Sequence, residues 1–240
     1  MPCLRIAHRG AAGTRPELTR PAFERALEIG VDMIELDVQL TADEQLVVLH
    51  DLELGRTVPA RGTVREHTLA QLCGLDAGTW FALEYAGARV PALEQVLDLT
   101  AGRAALNVEI KSPAPDWETT ARVLIDLLSA KQRLESTIVS SFEMGALRAV
   151  RERCSAARLG VLWHARDLDP MWLLAEGLAA RSVHPQWSLV DASVVEEARA
   201  RGLEVIVWTV NEPEPIDALA AIGVHGIISD YPERLREVLG

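Results

Sequence analysis

Short apolar runs rich in β-branched residues alternate with longer stretches of helical periodicity. The short runs fall at Leu4–His8, Met33–Val38, Ala105–Ile110, Thr137–Ser141, Arg158–Trp163, Arg181–Pro185, Glu204–Val210 and Gly226–Ser229. Between them lie helical patterns such as Pro21–Glu28, Trp117–Leu128, Met144–Arg153, Asp191–Arg201 and Pro215–Ala221. This order predicts βα units and a parallel sheet, and the eight strands suit an α/β fold of the (β/α)8 TIM-barrel type. Gly30, Gly160, Gly202 and Gly223 read as helix C-caps, where glycine takes the left-handed conformation without steric cost.

One apolar run breaks the alternation. Leu46–His50 follows Met33–Val38 too closely for a parallel crossover, which takes a dozen or more residues. Ile34–Thr41 and Leu46–Asp51 therefore read as an antiparallel hairpin turning at Asp43-Glu44. A two-residue turn would set Asp37 opposite His50 and put Glu35, Asp37 and His50 on one face. Residues 51–92 lose the alternation and read as a small insertion after this hairpin, of the kind that forms a lid or binding element. No repeat or linker interrupts the chain, so the expectation is one TIM-barrel domain over residues 1–240.

A length of 240 residues is ample for a packed core without disulfides. The net charge of −11 speaks against nucleic acid as a partner and against docking on anionic membranes. Cys3, Cys73 and Cys154 are too scattered for a disulfide framework or a zinc site, and read as reduced structural thiols. With no signal-peptide pattern and no apolar run long enough to span a bilayer, the expectation is a cytoplasmic protein without stable membrane insertion. Oligomeric state is not readable. Lysine occurs only at Lys111 and Lys131, which makes the placing of Lys111 notable.

In a barrel of this type, function gathers at the C-terminal ends of the strands. Here those ends read His8-Arg9-Gly10, Glu35-Leu36-Asp37, His50-Asp51, Glu109-Ile110-Lys111, Ser140-Ser141-Phe142, His184-Pro185, Trp208-Thr209-Val210-Asn211 and Ser229-Asp230. Glu35 and Asp37, two apart on one strand, converge with Glu109 from the next barrel strand. Three hard oxygen ligands suit one divalent cation, Mg2+ or Ca2+, better than zinc or copper; a solvated rim balanced by Arg9 and Lys111 is the competing reading. His8 and His50 titrate near neutrality and suit general acid and base work. Arg9 and Lys111 are cations fit to hold a phosphate, or simply to balance the carboxylates. Trp208 is either a wall for an organic substrate group or barrel packing. His67, His164 and His225 lack such company and read as structural; His184, at a strand end, stays open between the two.

At these residues the chain resembles the glycerophosphodiester phosphodiesterase family. The resemblance runs through His8-Arg9-Gly10, Pro16-Glu17 with Thr19, Glu35-Leu36-Asp37-Val38, Val47-Val48-Leu49-His50-Asp51, Asp76-Ala77-Gly78-Thr79-Trp80-Phe81, Glu109-Ile110-Lys111, Trp208-Thr209-Val210-Asn211 and Gly226-Ile227-Ile228-Ser229-Asp230. It implies a barrel that hydrolyses a small-molecule glycerophosphodiester to glycerol 3-phosphate and an alcohol. It also implies Glu35, Asp37 and Glu109 as metal ligands, His8 and His50 as acid and base, and Arg9 and Lys111 on the phosphate. The implied route has the glycerol 2-hydroxyl attack phosphorus, after which water opens the cyclic intermediate. Lysophospholipase D-like activity on single-chain lipids and a non-catalytic, phosphodiester-binding barrel are the alternatives. The chain departs from the family at Leu18, where Asn is usual; at Asp43-Glu44, where Gly is usual; and at Ser229, where Thr is common.

Overall fold

The computed structural model of the protein describes residues 3–240. The strands in chain order are β1 (Leu4–His8), β2 (Met33–Leu40), β3 (Leu46–Val48), β4 (Ala105–Ile110), β5 (Thr137–Ser141), β6 (Arg158–Trp163), β7 (Ser182–Pro185), β8 (Glu204–Val207) and β9 (Gly226–Ser229). All but β3 run parallel and close into a TIM barrel, because Ile6 of β1 pairs with Met33 of β2 on one side and with Ile228 of β9 on the other. Strand β3 lies antiparallel on the outer end of β2.

The helices α1 (Arg20–Ile29), α3 (Leu93–Thr100), α4 (Trp117–Ala130), α5 (Met144–Arg153), α6 (Asp169–Gly177), α7 (Ala192–Ala200), α8 (Pro213–Ala221) and α9 (Pro232–Leu239) belong to the barrel; α2 (Leu69–Cys73) belongs to the insertion. Helix α1 illustrates the local logic. Pro21 sits in its first turn, where a missing N–H costs nothing, and Gly30 ends it at φ +83° with its N–H on the Ala26 carbonyl. Its buried stripe of Ala22, Phe23, Ala26 and Ile29 joins outward-facing barrel residues such as Ile34, Leu36, Val108 and Val139 in the main core.

Successive side chains of a strand point to opposite faces, so every second barrel residue faces the bore. The bore is layered. Ile6, Met33, Ile138, Ile206 and Ile228 plug its lower part with hydrocarbon. Above them the register aligns Glu35 with Asn107, Asp37 with Glu109, and Glu109 with Ser140, which carries the polar side chains to the C-terminal mouth.

Two local expectations are corrected. Gly160 is no helix cap: it lies within β6, where its missing Cβ leaves room for the His184 imidazole, whose Nε2 a methyl group there would approach to 2.6 Å. The hairpin register is also shifted. Val38 pairs with Val48 and Leu40 with Leu46, and the Leu49 N–H donates to the Asp37 carbonyl at 3.2 Å, so Leu49 rather than His50 lies opposite Asp37. The cause is a longer turn, Ala42-Asp43-Glu44, closed by Thr41 N–H on the Gln45 carbonyl at 2.9 Å, with Glu44 at φ +52°.

The insertion has a small core of its own. Val47 and Leu49 meet Val58, Val64, Leu72, Ala77 and Val90, while β-bridges Glu53–Thr63 and Asp76–Arg89 close its loops.

Candidate active site

A cavity of about 200 Å³ opens at the mouth of the barrel. It brings together His8, Arg9, Glu35, His50, Glu109, Lys111 and Trp208, with Phe142 on its wall. A larger cavity of about 460 Å³ lies on the flank, between Phe23, Val90 and Leu99, and carries none of these groups.

Asp37 lies beneath the site, 1% exposed. Ligand oxygens of Glu35, Asp37 and Glu109 all lie within 4.8 Å of one another. Burial, followed by the Asp37 charge, raises Glu35 well above the usual carboxylate range and Glu109 to about 7. The two cations are already engaged. Arg9 Nε stands 3.3 Å from Asp37 and its Nη1 donates to Glu17 at 2.9 Å; Lys111 Nζ is 2.6 Å from Glu109 and 3.4 Å from Asp37. The contacts on Asp37 are ion pairs without aligned hydrogen bonds, so both its buried oxygens keep open acceptor positions among the described residues. Once all three are ionised, three carboxylates against two cations leave net negative charge around those oxygens. The donor set therefore fits a hard divalent cation.

Each histidine is paired with a carboxylate. His8 Nδ1 lies 2.6 Å from Asp230 Oδ1, while its Nε2 is 3.8 Å from Glu35. Burial works to raise Asp230, but its hydrogen bonds with His8 and Asn211 prevail and hold it below the usual range. An ionised carboxylate only accepts, so the proton sits on Nδ1 and Nε2 is left to the cavity. Asn211 fixes the carboxylate, donating from Nδ2 to Asp230 Oδ2 at 2.8 Å and accepting the Asp230 N–H at 3.0 Å. His50 repeats the pattern, with Nδ1 2.7 Å from Asp51 Oδ1, and burial lowers its pKa.

His50 lies beyond the last β3 residue, so strand alternation does not aim it. Gln39 holds the segment instead: its Nε2 donates to the Leu49 and Asp51 carbonyls, each at 2.8 Å, on either side of His50. Of the orienting residues, Asp51, Asn211 and Asp230 were read at strand ends but given no role, and Gln39 carried no signal in the sequence.

Trp208 donates from its indole to the His184 carbonyl at 2.7 Å and meets Phe142 edge-on, with centroids 5.5 Å apart. His164 stacks edge-on behind Phe142 at 5.5 Å. His184 itself is fully buried beside Ser182 Oγ at 2.8 Å, and burial drives its pKa down to about 3, so it is a neutral structural group. His67 contacts the Thr63 carbonyl, and His225 pairs with Glu204.

Proteins that resemble the chain over nearly their whole length define the class: phosphoric diester hydrolases on a TIM barrel. The chain is 38% identical to the glycerophosphodiester phosphodiesterase of Caldanaerobacter subterraneus subsp. tengcongensis, over 98% of this chain and 97% of that protein. It is 33% identical to that of Bacillus subtilis, over 98% and 86%. An Oleispira antarctica phosphodiesterase, solved in complex with the product sn-glycerol-3-phosphate, superposes with a TM-score of 0.92 at 28% identity, covering 97% of this chain and 95% of that one. The glycerophosphoryl diester phosphodiesterase family model matches residues 8–234, and the chain belongs to that family.

Two departures from the family pattern now have a physical meaning. Leu18 stands at φ +55° and Glu44 at φ +52°. Asn and Gly are the residues that enter this left-handed region most cheaply, which accounts for their being usual there. Leu18 is 3% exposed, so its burial offsets the backbone cost.

Proposed function

We propose that the protein hydrolyses glycerophosphodiesters to glycerol 3-phosphate and an alcohol, with His8 and His50 moving the protons. The observation that carries this reading is the pair of histidines, each with Nδ1 held by a carboxylate, opening into one cavity beside the acidic trio. Breaking a P–O ester bond requires a base for the attacking oxygen and an acid for the departing alkoxide. If the glycerol 2-hydroxyl attacks, one histidine takes its proton and the other protonates the leaving alcohol. Water then adds to the cyclic diester with the roles reversed, and the 2-oxygen regains a proton.

Glu35, Asp37 and Glu109 would hold one divalent cation, Mg2+ or Ca2+, which when bound supplies positive charge against the phosphoryl oxygens. Arg9 and Lys111, fixed by their carboxylates, present their remaining donors to the phosphate. Trp208 and Phe142 offer an apolar wall to the carbon skeleton. The product complex of the Oleispira phosphodiesterase supports a small-molecule substrate, and none of the described helices is long and apolar enough to cross a membrane. We read residues 1–240 as one working unit in the cytoplasm.

A second reading, single-chain lysolipids as substrates, is favoured by the exposed Leu52, Trp80 and Leu83 of the insertion. Glycerol 3-phosphate release from glycerophosphocholine and glycerophosphoethanolamine, in EDTA and after Mg2+ or Ca2+ is restored, tests the main reading. Turnover should vanish in EDTA and return with one cation, and His8→Ala or His50→Ala should cut it by about 10²–10⁴. Faster turnover of micellar lysolipid would select the second reading. No turnover of any diester would leave a non-catalytic binding barrel.

A further inference from the structure

We infer that Arg56, carried by the insertion, is a positioning residue for the reaction: its guanidinium holds Asp51, and through it His50, while fastening the insertion to the loop after β1. The inference rests on the reading of His50 as an acid–base group.

The guanidinium uses both edges of its fork. Nε and Nη2 reach Asp51 at 2.5 and 3.1 Å; Nη1 and Nη2 reach Glu17 at 3.0 and 2.7 Å. Glu17 Oε1 also accepts from Arg9 Nη1 at 2.9 Å, and Arg9 Nε is 3.3 Å from Asp37. A continuous series of opposite charges thus runs Asp37–Arg9–Glu17–Arg56–Asp51 and ends on the His50 imidazole, leaving the floor of the site and returning to its rim through the insertion. The local chain is shaped for this. Gly55 stands at φ +127°, a conformation that side-chain-bearing residues avoid, and the Trp80 ring lies 5.9 Å from the guanidinium carbon.

Folding stability is a weak account of the arrangement: the Arg56 side chain is 45% exposed, and a single ion pair that opens to water contributes little to folding. Geometry does explain it. Asp51 has two oxygens; one binds His50 Nδ1 and the guanidinium edge pins both, so the carboxylate cannot rotate away from the imidazole. A lysine supplies the charge without the planar fork and cannot span Asp51 and Glu17 with the same geometry.

The test compares Arg56→Met, Arg56→Lys, Asp51→Asn, His50→Ala and the Arg56→Met/Asp51→Asn pair on the cation-loaded enzyme with glycerophosphocholine. Arg56→Met should lower kcat by about 10–100-fold, the range typical of residues that orient a functional group, with KM within about twofold. Arg56→Lys should recover little. Added methylguanidinium should restore part of the Arg56→Met rate without affecting the wild type, and the pair should be no slower than Asp51→Asn alone. A raised KM at unchanged kcat would make Arg56 a substrate contact and overturn the inference, as would independent, multiplicative losses in the pair. If Arg56→Met fails to fold, Arg56→Lys carries the same kcat and KM comparison. If His50→Ala keeps the wild-type rate, the reading of His50 fails; if it is slow while both Arg56 variants are normal, only the role of Arg56 fails.

Discussion

Lowering the pH should destabilise this protein through a side chain that does no chemistry. His184 is fully buried in the bore, fits over Gly160, and has no hydrogen-bond partner for Nδ1 among the described residues. Burial holds its pKa at about 3, against 6.5 for the unfolded chain. The folded pKa is depressed, so the neutral ring contributes stability that is complete above 6.5 and lost as pH falls towards 3. Between pH 7 and pH 5 the unfolded chain takes up this proton and the folded one does not, a difference of about 2 kcal/mol. That is a large part of a total of about 5–15 kcal/mol for a typical domain. Other groups titrate in the same window, so the comparison is with His184→Gln, which keeps a polar atom for Ser182 and has no proton to gain. Urea unfolding of both proteins at pH 7 and pH 5, in EDTA, should show the wild type losing about 2 kcal/mol more than the variant. Parallel losses would mean that the folded protein accepts the proton, by water entry or ring movement, and would refute the reasoning.

Two further outcomes follow from the site. Glu109, raised to about 7, and Glu35, raised with it, stabilise the cation-free protein at low pH and lose that contribution as pH rises through the folded pKa. A divalent cation must displace those protons, so its affinity should weaken at least about tenfold from pH 8 to pH 6, with proton release on binding. Calorimetric titration of Mg2+ in buffers of different ionisation enthalpy checks this, and equal affinity at the two pH values would count against a cation site on the trio. Asp230→Asn keeps the shape of the His8 partner but removes its charge; the lost charge-assisted hydrogen bond, about 1.5–3 kcal/mol, should lower kcat roughly 10–100-fold with little change in KM. Steady-state kinetics beside a melting curve separates this from a folding defect.

The strand ends were legible because polar residues are costly inside an apolar strand unless something there uses them. His8, Glu35, Asp37 and Glu109 announced themselves that way, and the structure brings them to one mouth. What stayed hidden depends on angles rather than on residue type. A single extra turn residue, with Glu44 in the left-handed region, moved Asp37 from His50 to Leu49. His50 still reaches the cavity because Gln39 grips the chain on both sides of it, a long-range bond with no trace in local pattern. Gly160 looked like a cap because a glycine before an apolar run so often is one; its reason lies one strand away, in the ring of His184. Arg9 and Lys111 were readable as cations that either hold a phosphate or balance the carboxylates, and the structure shows them paired with Glu17, Asp37 and Glu109.

Strand β3 and the residue that follows it are divided between two cores. Leu46 and Val48 pack with the barrel's helical shell, whereas Val47 and Leu49 pack with the insertion. The insertion is therefore not a module that protein engineers can exchange at its two ends. A transplant cut at Asp51 would leave Val47 and Leu49 facing solvent or a foreign lobe, and the strand leading to His50 would lose half its packing. The smallest transferable cassette begins before the hairpin and carries β3, His50 and the lobe together, so any redesign of the lobe also redesigns the approach to His50.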